Sequence, residues 1–266
     1  KENTILKLKN IKFSNFGFDQ NLFEGKIFEK KFKAEVINNL EKIKFKIPNS
    51  GINIEINLDS NQKKNVTSGI LESKILNASL RLNFDYYNKT LNIYKSYFRS
   101  KNLSFNNKSN IVLKPFLYVN SKFYIEVFDK SLLQKLDLNK IFKSKDIIKK
   151  LNFDNEINYN SKKFNRNSPI DYFMKINLAY GRINYLKKIS ISNNSFQCKG
   201  DINLLEEFPT LYFYCNFEIN DKKNFFKYFS IKLKNKSKNE NIKIVGNLNI
   251  LKNNIYFKNI ETNKNY

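Results

Sequence analysis

The stretch ILNASLRLNFDYYNKTLNIY, residues 75–94, decides the fold. Apolar side chains recur at Leu76, Ala78, Leu80, Leu82, Phe84 and Tyr86, with polar ones at almost every position between. Period-two alternation is the mark of a β-strand, whose successive side chains point to opposite faces of the sheet. One face therefore meets apolar material and the other meets water. Asn88-Lys89 interrupts the run and the pattern restarts at Leu91 and Ile93, as a two-residue hairpin loop does when Asn takes φ > 0. That register sets Tyr86 against Leu91 and Phe84 against Ile93. It also sets Leu82 against Lys95, an awkward pair on an apolar face.

The same texture extends in both directions. From Phe13 to about Val127 short strands follow one another: KIFEKKFKAEV, KIKFKI, INIEINL, the hairpin above, KNLSF, NIVL and KFYIEV. The polar NNKSN at 106–110 reads as a loop pairing Phe105 with Ile111 and Leu103 with Leu113. Pro48 and Pro115 mark a strand end and an edge or bulge, since proline donates no ladder hydrogen bond. Residues 1–128 are thus expected to form an antiparallel meander. Residues 129–152 differ: Leu132, Leu133, Leu136, Phe142, Ile147, Ile148 and Leu151 recur at helical spacing, with Asp129 as N-cap and Asp146 opening a second short helix. After the polar NYNSKKFNRNSP, strands resume at about Ile170. The antiparallel β-segment then continues to 266, with a minor helix near 221–229. Within it, MKINLAYGRINYLKKISIS turns near Gly181, and GNLNILKNNIYFKNI turns at about Lys252-Asn253, placing Ile250 opposite Ile255 and Leu248 opposite Phe257.

The 266 residues are 41% hydrophobic and 15% aromatic, enough for one large or two medium domains with a real core. The chain opens on Lys1 and stops at Tyr266 within a strand-like pattern, so it reads as a piece of a longer protein with any export signal or anchor outside it. No apolar run approaches the roughly 20 residues of a spanning helix. The formal charge of +24 would ordinarily point to nucleic acid or anionic membranes. Here the lysines are scattered, and the abundance of Lys, Asn, Ile, Phe and Tyr matches an AT-rich coding bias, so no nucleic-acid partner is expected. The Asn-X-Ser/Thr triplets at Asn65, Asn88 and Asn102 are those chance provides in so Asn-rich a chain.

Catalytic signatures are missing. There is no histidine, the residue that acid-base and nucleophilic catalysis most often recruit. The seven glycines stand apart, without a phosphate-cradling loop. Glu206 and Glu207 fall in an expected loop, not across a cleft as a glycosidase pair requires. The chain reads as a non-enzyme without cofactor. Its two cysteines, Cys198 and Cys215, flank GDINLLEEFPTLYFY. A four-residue loop at 205–208 would set Leu204 against Pro209, Ile202 against Leu211, Gly200 against Phe213, Cys198 against Cys215 and Phe196 against Phe217. Opposed Cα atoms about 4.5 Å apart permit a disulfide in an oxidising compartment; the alternative is two buried thiols. Two sulfurs without histidine do not make a zinc site.

Three stretches, ESKILNASLRLNFDYYNKTLNIYKSYFRSKNLSFNNKS, LAYGRINYLKKISISNNSFQCKGDINLLEEFPTLYFYCNF and GNLNILKNNIYFKNI, resemble the periplasmic region of AsmA-like proteins of two-membrane bacteria, the broad family that includes TamB and YhdP relatives. The resemblance spans residues 65–266. It departs from family habit in placing Lys and Asn where glycines often mark turns. It implies an elongated, twisted antiparallel β-sheet curled into a hydrophobic groove. It also implies anchoring in the inner membrane, a periplasmic location, and a role in outer-membrane assembly, inter-membrane phospholipid transport and protein targeting to the membrane. The expected partners are phospholipid acyl chains, the inner and outer membranes and envelope proteins.

Physical chemistry is consistent with that expectation. About sixteen strands at ~4.8 Å would make a sheet on the order of 75 Å long, which twist would curl. An acyl chain asks only for a dry, continuous lining. The candidate lining is Leu76, Leu80, Leu82, Phe84, Tyr86, Leu91, Ile93, Phe196, Ile202, Leu204, Leu211, Phe213, Phe217, Leu248, Ile250, Ile255 and Phe257, with a basic rim for anionic headgroups. For any one of these residues ordinary core packing is the better explanation; only continuity along many strands favours the groove. A β-scaffold binding proteins through sheet edges is the alternative, and single-stranded nucleic-acid binding through Tyr and Phe is a third reading.

Overall fold

The computed structural model describes residues 6–12, 20–27, 30–37, 41–59, 65–129, 131, 145–160, 170–191, 193–222 and 240–263. The chain is mainly β and divides into two compact units, Lys1–Leu113 and Lys114–Tyr266.

The first unit is an antiparallel meander in which each strand pairs with the next. Its strands are β1 (Leu6–Lys12), β2 (Gln20–Ile27), β3 (Lys30–Ile37), β4 (Lys42–Ile47), β5 (Ile52–Leu58), β6 (Thr67–Ile75), β7 (Ala78–Tyr87), β8 (Thr90–Arg99) and β9 (Leu103–Val112). Asn88 and Lys89 take φ of 43° and 62°, so the two-residue turn forms, with Phe84 opposite Ile93 and Tyr86 opposite Leu91.

Three details of this unit correct the sequence reading. Leu82 does not face Lys95 alone: Arg81 opposes Tyr97 and Asn83 opposes Tyr94, leaving two residues against one. This bulge, with Lys95 at φ 46°, leaves Lys95 exposed and brings Phe98 opposite Leu80. NNKSN is not a loop. It lies inside β9, where Phe105 pairs with Phe98 and Ile111 with Leu91. Its polar groups satisfy one another and the neighbouring strand: Ser96 Oγ donates to Asn107 O at 2.6 Å and Asn107 Nδ2 donates to Ser109 Oγ at 2.9 Å. KIFEKKFKAEV, read as one strand, is divided between β2 and β3, which pair with each other.

The second unit contains β10 (Tyr118–Phe128), helix α1 (Lys145–Lys150), β11 (Asn152–Asn160), β12 (Ile170–Ala179), β13 (Arg182–Ile191), β14 (Asn194–Asn203), β15 (Thr210–Ile219), β16 (Glu240–Asn249) and β17 (Asn254–Thr262). From β11 onward every pairing is antiparallel and sequential. The β10–β11 pair is parallel, against the expectation of an antiparallel continuation. Parallel neighbours need a crossover of a dozen or more residues, usually helical. Helix α1 lies in that crossover. Asp129 Oδ1 accepts the Ser131 N–H at 2.9 Å, the hydrogen bond of an N-cap. Residues 132–144 of the expected helical segment, and the minor helix beyond Lys222, lie outside the described residues. The strand β11 runs through NFDNEINYN, a polar sequence whose alternation is broken.

Tyr180 and Gly181 take φ of 50° and 80° and turn β12 into β13. The last hairpin is longer than its sequence implies: Asn249 pairs with Asn254, so Leu248 faces Ile255 and Gly246 faces Phe257. Ile250 does not face Ile255, nor Leu248 Phe257. Asn249 Oδ1 accepts the Lys252 N–H at 2.9 Å, a side-chain hydrogen bond that holds the four-residue turn. The buried core of this unit is the cluster Ile148, Leu178, Ile202 and Leu204, with Phe153, Ile183, Leu211 and Ile250 packed around it. The helix α1 thus docks through Ile148 on one end of the sheet.

Candidate functional site: an apolar sheet face

Directly paired residues share a face, so the registers define what each face presents. In the second unit one face carries four rows running across the strands. The first is Val119, Phe153, Leu178, Ile183, Ile202, Leu211, Leu248 and Ile255. The second runs through Ile176, Tyr185, Gly200, Phe213, Gly246 and Phe257, the third through Ile157, Met174, Cys198, Cys215 and Ile244, and the fourth through Tyr159, Tyr172, Ile189, Phe196, Phe217 and Ile242. The first unit has its counterpart: Phe23, Ala34, Phe45, Ile54, Ser73, Leu80, Phe98 and Phe105 form one row, and Val36, Ile43, Ile56, Leu71 and Leu82 the next.

Aromatic rings pack along the rows. Phe196 and Phe217 meet edge to face with centroids 5.2 Å apart, Phe98 and Phe105 stack at 5.4 Å, and Phe213 meets Phe257 at 6.3 Å. Cys198 and Cys215 are joined in a disulfide across β14 and β15, their Cα atoms 4.1 Å apart. Lys187 enters the third row with its Nζ 5.7 Å from the Tyr172 ring centroid, a cation–π contact that accommodates the charge. Burial pushes the Tyr172 and Tyr185 phenols above the usual tyrosine range. Most side chains of these rows are only half-buried; a core closed by a second layer would bury them fully.

Most of the residues expected to line the face lie on it. Leu80, Leu82, Phe196, Ile202, Leu211, Phe213, Phe217 and Leu248 belong to the rows above, and Phe84, Leu91 and Ile93 share the face of Leu80 and Leu82; Ile202, with Leu178, is buried in the cluster that Ile148 covers. Tyr86, Ile255 and Phe257 share the face but are exposed, the last two on β17, every residue of which is exposed. Three expected lining residues are not on the open face. Leu76 sits in the turn between β6 and β7 with φ 53° and is 77% exposed. Leu204 is buried beneath α1, and Ile250 lies in the β16–β17 turn against the same cluster. All three lie in turns, where period-two geometry does not hold. Phe45, Ile54, Ile56, Leu71 and Phe98 share the face without being among the expected residues, although the alternation of KIKFKI and INIEINL carries the signal for the first three.

The opposite face is charged. Lys33 pairs with Glu35 at 2.7 Å, Lys42 with Glu55 at 2.6 Å and Arg81 with Glu72 at 3.1 Å. Hydrogen bonding to Lys42 holds the Glu55 carboxyl below its ordinary range, and hydrogen bonding to Glu35 raises Lys33. Among the described residues no group of three or more His, Cys, Asp or Glu side chains could hold a metal, and no helix is long and apolar enough to cross a membrane. The geometry defines a mainly β protein with an amphipathic sheet in each unit. No protein-family model, curated protein or solved structure matches the chain.

Proposed function

We propose that this chain is a non-enzymatic, periplasmic lipid-binding protein of the AsmA-like type, in which the apolar sheet face curls into a groove that holds phospholipid acyl chains on their way between the inner and outer membranes. The observation that carries this reading is the continuity of apolar rows across β11–β17 and across β2–β9, most of their side chains half-buried outside the cluster that Ile148 covers. Acyl chains need no directional contact, only a dry lining of this kind. The disulfide suits an oxidising compartment such as the periplasm. A membrane anchor would belong to a segment outside this sequence.

The test is native mass spectrometry with lipid extraction on the chain purified from a bacterial periplasm in mild detergent. The wild type is expected to carry phospholipid, and Leu80→Lys with Phe84→Lys is expected to lose it while keeping β circular dichroism. Well-folded wild-type protein without lipid would sink the proposal. One observation favours a second reading, a scaffold that pairs with partner strands: β17 exposes Ile255, Tyr256, Phe257 and Ile260, each more than half. Lipid-free protein that instead captures an added β-strand peptide at β17 would favour it.

A further inference from the structure

The polar face of the second unit holds an open depression of about 740 Å³ beneath which Gly200 and Gly246 form part of the floor. Its walls come from β13–β17. Asn184, Asp201, Tyr212 and Asn247 lie in one cross-strand row, and Lys199 pairs with Tyr214 in the next. These residues alternate with Tyr185 and Phe213 of the apolar rows and so point away from the proposed lipid lining. Tyr212 is 53% exposed. The Tyr214 ring is flanked by Lys199 Nζ at 5.5 Å.

Two features distinguish this depression from the charged one on the first unit, where Glu35, Glu55 and Glu72 are each engaged by a cation. The side chains of Asn184, Asp201 and Asn247 make no hydrogen bond or ion pair with another described residue, so their donors and acceptors are available to a ligand. An exposed tyrosine ring stands between Asp201 and Asn247, each about 4.8 Å away along the row. An apolar plate bordered by a carboxylate and an amide matches a ligand with flat C–H faces and a hydroxyl-bearing rim.

We propose that this depression binds an oligosaccharide whose pyranose rings carry equatorial hydroxyls. Tyr212 stacks on a sugar face, Asp201 accepts from a pair of hydroxyls, Asn184 and Asn247 give and take one hydrogen bond each, and Lys199 holds Tyr214 in place at the margin. A single-stranded nucleic acid also uses exposed aromatics beside lysine. Lys199 and Lys258 line the depression, which makes nucleic acid the competing occupant; the Asp201 carboxylate next to Tyr212 repels a phosphate at the stacking position. Because the site is on the opposite face from the lipid rows, the proposal does not depend on lipid binding.

The experiment is isothermal titration calorimetry of the 266-residue chain with chitohexaose and with cellohexaose. At least one is expected to bind, with affinity lowered about tenfold or more by Tyr212→Ala and by Asp201→Asn, retained in Tyr212→Phe, and little changed between about 50 and 300 mM salt. Retained β circular dichroism in each variant separates loss of binding from loss of fold, and Tyr212→Phe isolates the ring from the hydroxyl. Failure of both hexasaccharides to bind overturns the proposal, as does undiminished binding by folded Tyr212→Ala. Binding of a thymidine dodecanucleotide that falls steeply with salt and is lost in Tyr212→Ala, without saccharide binding, overturns it in favour of nucleic acid.

Discussion

At Gly246 the sheet has no room for a methyl group. A Cβ there would come 2.7 Å from the Phe213 ring and closer still to the Tyr256 carbonyl oxygen. Neither gives way cheaply, since the carbonyl belongs to the β16–β17 ladder and the ring is held against Phe257. Gly246→Ala is expected to destabilise the second unit by about 1–3 kcal/mol, read as a lowered midpoint in urea. Leu76 is the converse case. It holds φ 53° while 77% exposed, a left-handed backbone that costs an L-residue roughly 1–2 kcal/mol. Leu76→Gly is therefore expected to raise the melting temperature and leave any bound lipid unchanged; loss of lipid in that variant would return Leu76 to the lining. Tyr172 and Tyr185 carry a pH signature. Burial raises both phenols in the folded chain, so as pH climbs past the unfolded value of about 10 the unfolded state ionises first and stability falls until the folded phenols ionise too. Urea midpoints measured at pH 9 and pH 11, with Tyr172→Phe and Tyr185→Phe as controls, are expected to drop less in the variants.

At the scale of elements, the hairpins whose turns lie between cleanly alternating strands could be read directly from sequence: Asn88-Lys89, Tyr180-Gly181, and the register that opposes Cys198 and Cys215. The failures have physical causes. The β16–β17 turn is set by the Asn249 side chain, which is not part of a period-two pattern. The bulge at Lys95 adds a residue that simple counting cannot place. NNKSN reads as a loop because it is polar, yet side-chain hydrogen bonds let it run as strand. Two elements invite measurement. The disulfide joins residues 17 apart in sequence, and a loop of that length is worth about 3 kcal/mol on loop-closure grounds; Cys198→Ser with Cys215→Ser is expected to lower the urea midpoint accordingly, with reduction of the wild type reproducing the loss. The helix α1 has six residues, too short to persist alone. Its anchor is Ile148, 5% exposed, so Ile148→Ala is expected to cost about 2–5 kcal/mol locally. Hydrogen exchange at residues 145–150 should accelerate while the strand amides of β12 and β13 stay protected; unchanged exchange would show the helix held by something else.

At the scale of the whole molecule, the amphipathic sheets place two forces on opposite sides. The formal charge is +24, and lysines such as Lys33, Lys44, Lys46 and Lys74 border the polar face of the first unit, whereas the apolar rows carry few charges. Attraction of lysines to an anionic bilayer is worth about 1 kcal/mol each near the surface and is screened by salt. Burial of acyl chains is not screened, being roughly proportional to the apolar area removed from water. If the chain both meets membranes and holds lipid, the two steps separate experimentally. Co-sedimentation with phosphatidylglycerol vesicles is expected to fall steeply between about 50 and 500 mM sodium chloride, and Lys44→Glu with Lys46→Glu and Lys74→Glu is expected to weaken it at low salt. Lipid already carried by the purified chain should survive the same salt and the same substitutions, and leave only when the apolar face is changed. Lipid released by salt alone would mean that headgroup attraction, and not the apolar face, holds it. The sequence could supply the charge and the alternation, but not this segregation, because the assignment of each lysine to a face depends on registers and bulges that only the folded strands fix.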